Sequence, residues 1–526
     1  MTQQTIQPTP ASRLGLRAPP RRTALYLAVL GALAFIGYHL LTHADTLTER
    51  DSTNLARALV NYDVRLHQPH PPGYPLLVGF AHALGFLGEP LNAYLGVAFI
   101  LSVVALVATY FLGREMFGPR AGIVAALLLL AVPMFSYYAD MASTYPGEYA
   151  MAPIVALLAY RVARRRGDRS AFLLFPVLAI AGGFRPTVMG LLLPMCLLAL
   201  VIGRPRLKPL LAGAGVGALV VLAWAIPMLA ESGGLSAYRK TSADLYDGAR
   251  ARTSIFYGAR RFQAGYNAWH AVVATFSVML PALLVAPLAL PGVRRLVAGP
   301  GRFRRWARSD GAVAWWLLLA WFLPYFLLYV FVHFGKPGYA MAYAPAAAVA
   351  GAGLVRKIPR AAWAAGAVAA ASLLFYAFAP APELPKRVGV FFPTADSLHV
   401  YDREARGLER VGATCPRAGC TLVSLNASDR FWFRYPSELR DAYAKNDRWL
   451  RSEAIVSNHL PLSGSVVWAG EQVPASVAAH SRLVGHSGEW WFCRSDPAQT
   501  RAIVAEGKLT TDPADGITSA AAACKP

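Results

Sequence analysis

The stretch that decides the reading is Tyr62–Pro75, YDVRLHQPHPPGYP. Its prolines each fix φ and remove a backbone donor, and three acids, Asp45, Glu49 and Asp51, stand just before it. Upstream runs Thr23–Ala44, free of Asp, Glu, Lys and Arg; downstream lies Tyr74–Gly88, YPLLVGFAHALGFLG. A connection that merely joined two membrane helices would need only a few residues. One this long, with acids, histidines and stiff turns, is expected to carry chemistry.

Composition supplies the membrane. Of 526 residues, 56% are hydrophobic and 15% charged, with a mean hydropathy of +0.39 and many long runs without charge. A polytopic α-helical membrane protein follows. Thr23–Ala44 is too long for a signal-peptide core and has no evident cleavage site after it, so it is expected to stay as a transmembrane helix. The formal charge of +22 does not mark a nucleic-acid binder, because Lys and Arg fall mainly in short loops between apolar runs, where they set orientation and meet anionic lipid.

Six basic clusters carry that signal: Arg13 to Arg22, Arg114/Arg120, Arg161 to Arg169, Arg204/Arg206/Lys208, Arg294 to Arg308 and Arg356/Lys357/Arg360. All are expected in the cytoplasm. They share one side if the spans are Thr23–Ala44, Leu91–Gly113, Ala121–Ala139, Met141–Tyr160, Ser170–Phe184, Pro186–Gly203, Pro209–Ala230, Tyr266–Val293, Gly311–Phe334, Gly338–Val355 and Ala361–Ala381, about eleven helices. Tyr74–Gly88 must then not cross, since a crossing would turn every later basic loop outward. It is predicted to lie on the surface or re-enter, inside a first outer loop spanning residues 43–90.

The domain plan is a basic cytoplasmic tail (1–22), a transmembrane domain (23–381) and a soluble extracytoplasmic domain (382–526), α/β or α+β in class. VGVFFP, TLVSL and GSVVWAG predict strands and Pro436–Glu453 a helix. Cys415, Cys420, Cys493 and Cys524 lie in this domain, an even set suited to two disulfides with three possible pairings.

An acid after the first helix, the amphipathic LARALVNYD and then HPPGYP leading into a short apolar helix resemble the GT-C superfamily of lipid-dependent glycosyltransferases, and among them bacterial relatives of the protein O-mannosyltransferases. The resemblance covers Thr23 to Tyr160 by motif and the rest by hydropathy. It implies a large outer loop, a polyprenyl-phosphate sugar donor, and transfer to a protein, lipid or glycan acceptor outside the bacterial inner membrane. It matches the loop aspartate to Asp51, with Glu49 as its substitute, and the signature to His70, Pro71, Pro72, Gly73, Tyr74 and Pro75. No Asp-x-Asp pair is present, so a divalent metal has no paired acidic motif to hold it.

The residues themselves each allow more than one role. Transfer from a lipid phosphate needs a base for the acceptor hydroxyl and donors or cations for the leaving phosphate. Asp51 suits the base, or is an ordinary N-cap in Asp51-Ser52-Thr53. His70 either bonds a phosphate or sugar hydroxyl, pairs with His67 on a metal, or joins Tyr74 as an interfacial anchor in a Pro-Pro-Gly turn. Asp140 and Glu148, in YYADMASTYPGEY, either orient substrate hydroxyls or mark a solvated turn, with Asp140 favoured by the resemblance. Arg185, the only charge between Ser170 and Gly203, either grips a phosphate or snorkels to lipid. Lys336 and Tyr339, in HFGKPGYAMAYAP, share its level. The stretch 231–265 carries Arg239, Lys240, Arg250, Arg252, Arg260 and Arg261 against Glu231, Asp244 and Asp247 on the outer side, as an anionic donor would require or as a solvated amphipathic surface helix would show.

No Walker loop, dinucleotide-binding glycine fingerprint or zinc-protease motif is present. Two functions compete: a membrane glycosyltransferase moving a hexosyl or pentosyl unit, and a non-enzymatic transporter or lipid-binding scaffold of the cell envelope. A transporter would place ionisable groups near mid-membrane in paired repeats; here they gather at one face, which favours the enzyme.

Overall fold

Proline opens many of the helices in this chain, because its missing N–H is one of the unpaired donors of a first turn anyway. Pro90 starts a helix of 28 residues, Pro90–Phe117, which ends at Gly118 with φ 102°. At 1.5 Å per residue it is about 42 Å long, more than the ~30 Å hydrocarbon layer. The structure is a computed structural model that describes residues 33–257, 261–290, 309–382, 390–400 and 402, and, nearer the C-terminus, 420–424, 449–451, 465–470, 473–487, 490–506, 521–522 and 524.

Among the described residues seven helices are long and apolar enough to cross a membrane: Pro90–Phe117, Pro186–Gly203, Leu207–Glu231, Ala264–Ala289, Val313–Phe331, Pro337–Val355 and Ala361–Phe378. The bent pair Pro119–Leu130 and Pro133–Ala139 makes eight if it counts as one span. Tyr145–Ala163 and Asp168–Phe184 are helical where spans are expected, but the first carries Glu148 and Arg161 and the second has 17 residues. Of the first expected span, the described part is the apolar helix Leu33–Thr42. Leu33–Thr42 belongs to one compact unit and the described residues from His43 onward to another.

Two expected spans are not single straight helices. Ala121–Ala139 bends by 69° before Pro133, where the ring can neither donate to the ladder nor clear the preceding turn. Gly338–Val355 begins as the 3-10 segment Pro337–Tyr343 and turns α-helical at Ala344. Small residues let the helices close up: a Cβ on Gly203 or Gly213 would run into the carbonyls of Val162 and Phe172.

Tyr74–Gly88 folds as the helix Pro75–Ala83 and the 3-10 turn Gly85–Leu87. Nine residues give about 14 Å, too short to span the hydrocarbon layer. Ahead of it the HPPGYP loop folds back sharply, with cis bonds at Gln68-Pro69 and Pro71-Pro72 and left-handed backbone at His67 and Tyr74. Gly73, at φ 103°, is required: a Cβ there would lie 2.8 Å from the Tyr62 hydroxyl, which donates to the Gly73 carbonyl at 2.8 Å.

Among the described residues the C-terminal region builds a five-stranded sheet in the order Trp449–Arg451, Cys420–Ser424, Ser465–Gly470, Trp490–Ser495, Arg482–Ser487. β1 (Cys420–Ser424) pairs in parallel with β2 (Trp449–Arg451) and β3 (Ser465–Gly470); β3 and β6 (Trp490–Ser495), and β6 and β5 (Arg482–Ser487), are antiparallel. β4 (Val473–Pro474) and β7 (Ala521–Ala522) form a separate pair. The buried Trp468 donates its indole N–H to Ser495 Oγ at 2.8 Å. TLVSL and GSVVWAG are strands as expected. Trp449–Arg451 is a strand where a helix is expected, because its backbone completes the open side of β1 and its bulky apolar residues suit a sheet; residues 436–448 and 452–453 lie outside the described residues. Of VGVFFP, Val390–Phe392 form a turn, and residues 388–389 lie outside. Cys493 is bonded to Cys524; Cys415 is not among the described residues.

Candidate active site

The site grows from the helix Arg50–Ala58. Its N-cap is Glu49, so Asp51 sits inside the first turn and makes no cap. The N-cap role that its sequence also allowed is thereby excluded: Asp51 favours the helix dipole by charge and turns its carboxylate elsewhere. Ser52 pins the helix by donating to the Ala142 carbonyl at 2.6 Å, and the Tyr94 hydroxyl donates to the Leu55 carbonyl at 3.0 Å.

Asp51 and Glu49 meet Lys336, which arrives from the far end of the sequence just before Pro337. Its ammonium lies 2.6 Å from Asp51 Oδ2 and 2.5 Å from Glu49 Oε2. Burial works against the Lys336 charge, but Glu49 and Asp51 outweigh it and raise its pKa above the ordinary lysine value. Burial alone would raise the pKa of Asp51; His70, Lys336 and Arg185 outweigh it and hold the carboxyl well below its usual range.

His70 stands on the other side of Asp51, with Nδ1 3.5 Å from Oδ1, and its Nε2 is 2.9 Å from the Tyr74 hydroxyl. Burial pushes the imidazole down to about 4; Asp51 pulls the other way, and Lys336, Arg185 and His67 push with burial. It is therefore neutral near pH 7. Its Nδ1 faces Asp51 without a hydrogen bond, and the direction of the bond between Nε2 and the Tyr74 hydroxyl follows the imidazole tautomer.

Arg185 lies at the break between Asp168–Phe184 and Pro186–Gly203, and the first-turn acid of Tyr145–Ala163, Glu148, forms an ion pair with it. Its guanidinium lies over three rings, 5.3 Å from the centroids of Tyr145 and Tyr339 and 6.0 Å from that of Tyr74. Thr144 Oγ1 accepts from it at 3.3 Å. Tyr339 stacks on Tyr329 at 5.1 Å. The expected phosphate-gripping arginine is thus already partnered and caged by aromatic faces.

Asp140 sits at the end of Pro133–Ala139, where its Oδ2 accepts from the Tyr376 hydroxyl at 2.9 Å and its carbonyl from the Ala44 amide at 2.9 Å. Glu148, not Asp140, joins Arg185. The basic stretch forms the helix Gly234–Thr253, which touches the signature loop through Tyr238, donating to the Pro72 carbonyl at 3.3 Å. Arg239 and Lys240 are exposed on it; the side chains of Arg250, Arg252, Arg260 and Arg261 lie outside the described residues. Among the described residues no group of three His, Cys, Asp or Glu is placed to hold a metal ion. A lysine ammonium stands between the two loop carboxylates.

The geometry therefore joins Glu49, Asp51, His70, Tyr74, Glu148, Arg185, Lys336 and Tyr339 at one place. Sequence reasoning missed Thr144 and Tyr145, which cradle Arg185. The signal was present in YYADMASTYPGEY, where aromatics crowd beside two acids at a membrane edge.

Residues 69–230 match the family model described as dolichyl-phosphate-mannose-protein mannosyltransferase. Among solved structures, ArnT from Cupriavidus metallidurans in the apo state is similar at TM-score 0.54 and 14% identity, over 91% of this chain and 99% of that one. The same protein bound to undecaprenyl phosphate gives TM-score 0.56 and 13% identity over the same shares. The chain shares the fold of ArnT. The resemblance expected from HPPGYP is matched by a shared fold and, across residues 69–230, by the mannosyltransferase family model. A search of curated proteins finds no match.

Proposed function

We propose that the chain is an integral-membrane glycosyltransferase that moves a sugar from a polyprenyl-phosphate donor to an acceptor hydroxyl on the extracytoplasmic face of a bacterial inner membrane. One observation carries the reading. Lys336 bridges Glu49 and Asp51 beside the histidine of the HPPGYP loop, although it lies 285 residues from Asp51. Bringing a base, a cation and a histidine together beside short helices that cannot cross the membrane is what transfer from a lipid phosphate demands. The match of the signature loop to mannosyltransferases that use a lipid-linked donor, and the undecaprenyl phosphate held by ArnT, support the donor class.

In this reading Asp51 takes the proton of the acceptor hydroxyl. The hydroxyl oxygen attacks the anomeric carbon from the face opposite the phosphate, the bond from that carbon to the phosphate oxygen breaks, and its electron pair leaves with the polyprenyl phosphate. The anomeric configuration inverts. Lys336 answers the charge gathering on the phosphate, and as it turns from Asp51 toward that charge the carboxylate becomes a stronger base. Arg185, tied to Glu148, holds the tyrosines in place and adds positive potential. The exposed Arg239 and Lys240 draw the anionic donor to the loop. The C-terminal sheet lies on the same side of the membrane as the loop.

The full chain in lipid nanodiscs, supplied with polyprenyl-phosphate sugars and envelope acceptors, is expected to release free polyprenyl phosphate with one sugar appearing on acceptor per lipid, read by mass spectrometry. Lipid binding without release would favour a scaffold. A thiol introduced at the exposed Val60 should be labelled from outside intact cells; labelling only after lysis would reverse the proposed orientation.

A further inference from the structure

The segment that follows the last apolar helix turns back onto the site. Asp396 receives the Ala381 amide at 2.9 Å, fixing the return, and a helical turn over residues 395–400 is started by Thr394, whose amide donates to Ser397 Oγ at 3.1 Å. Phe391 and Leu398 are fully buried in the same hydrophobic cluster as the membrane helices. Phe391 packs against Phe334 at 6.1 Å and His270 at 5.9 Å between ring centroids. Phe334 stands two residues before Lys336.

At its other end the segment holds the opposite half of the triad formed by Glu49, Asp51 and Lys336. Asp402, fully buried, accepts from the Thr46 hydroxyl at 2.7 Å and from the Asp45 backbone amide at 3.1 Å. Thr46 lies three residues before Glu49 and five before Asp51. A buried carboxylate without partners would be costly, so these bonds fix the start of the catalytic loop to a point more than 350 residues away in sequence.

We propose that residues 390–400 together with Asp402 form a strap that holds the loop bearing Glu49 and Asp51 in register with the loop bearing Lys336, with Asp402 and Phe391 as positioning residues for the transfer reaction. The inference rests on the glycosyl-transfer reading for its catalytic consequence, not for its mechanical one. One end presses the Lys336 loop through Phe334; the other ties the Asp51 loop through Thr46 and Asp45. Losing either contact leaves the triad residues in place chemically and loosens their spacing, to which turnover is sensitive because small misplacements of reacting groups are costly.

The test uses the full chain in nanodiscs with the substitutions Asp402→Ala and Thr46→Val and the double variant. Amide exchange at residues 45–49 is expected to quicken about tenfold in Asp402→Ala, as the amide of Asp45 loses its acceptor. The kcat is expected to fall about tenfold while the donor KM stays within about twofold, a split that general destabilisation would not produce. The double variant should lose no more than Asp402→Ala alone, since both changes remove one connection. Thr46→Val, which keeps the volume of the side chain, guards against simple misfolding. Unchanged exchange overturns the strap, and so do quickened exchange with unaltered kcat and additive losses in the double variant. If the wild-type chain transfers no sugar at all, the function fails separately, and the strap stands or falls on exchange.

Discussion

Two charged groups meet at this site, and they differ most in access to solvent. In the triad of Glu49, Asp51 and Lys336 the side chains are 23%, 29% and 33% exposed. In the pair of Arg185 and Glu148 they are 11% and 2% exposed, with the guanidinium lying over three tyrosine rings. Both groups match charge with charge, yet only the triad can release a partner to a substrate. The sealed pair cannot turn its guanidinium outward without abandoning a carboxylate that has no water to replace it. The open group is suited to chemistry and the closed one to architecture.

Breaking the closed pair should therefore cost the fold first. Glu148→Gln is expected to lower stability by about 3–5 kcal/mol, because it leaves a buried guanidinium without its counterion, and thermal unfolding in detergent would show it. Replacing both residues by apolar ones should recover much of the loss. A Glu148→Gln protein as stable as wild type would erase the distinction between the groups.

Breaking the open triad should cost turnover instead. Lys336→Met is expected to reduce kcat about 10²–10³-fold, as for loss of a group that stabilises a developing anion, with a melting temperature close to wild type. A large stability loss with little change in kcat would make Lys336 architectural, like Arg185.

The smallest expected effect is in pH dependence. His70 titrates near 4 when folded, against an ordinary value of 6.5. Between those values the unfolded chain binds a proton that the folded one does not, so stability should rise with pH across this window and fall as pH is lowered through it. His70→Gln should flatten that slope in melting curves recorded from pH 4 to 7. An unaltered slope would mean that His70 is not held neutral by its surroundings.

Much of this contrast was out of reach of the sequence. HPPGYP was legible because proline and glycine write local geometry directly, and the apolar runs were legible because hydropathy does not depend on partners. The break before Pro133 was visible as a proline, but the long apolar run around it outweighed the signal. The strand Trp449–Arg451 depends on β1 for its hydrogen bonds, so its own residues do not announce it. Arg185 and Glu148 each stood out as a charge near the membrane; their pairing and the tyrosine cage around the guanidinium are tertiary. Lys336 was legible as a cation at the right level, while its place between Glu49 and Asp51 needed the fold. Asp402, in a segment with no motif, gave no signal at all.

The claim that two remote segments close over one reactive carboxylate is tested most directly by single-turnover transfer with Asp51→Asn beside Glu49→Gln, each in nanodiscs with saturating polyprenyl-phosphate sugar. The account predicts that Asp51→Asn slows transfer by about 10²–10⁴-fold, as for loss of a general base, with donor binding retained, while Glu49→Gln keeps most of the rate. Transfer by Asp51→Asn at the wild-type rate would contradict it.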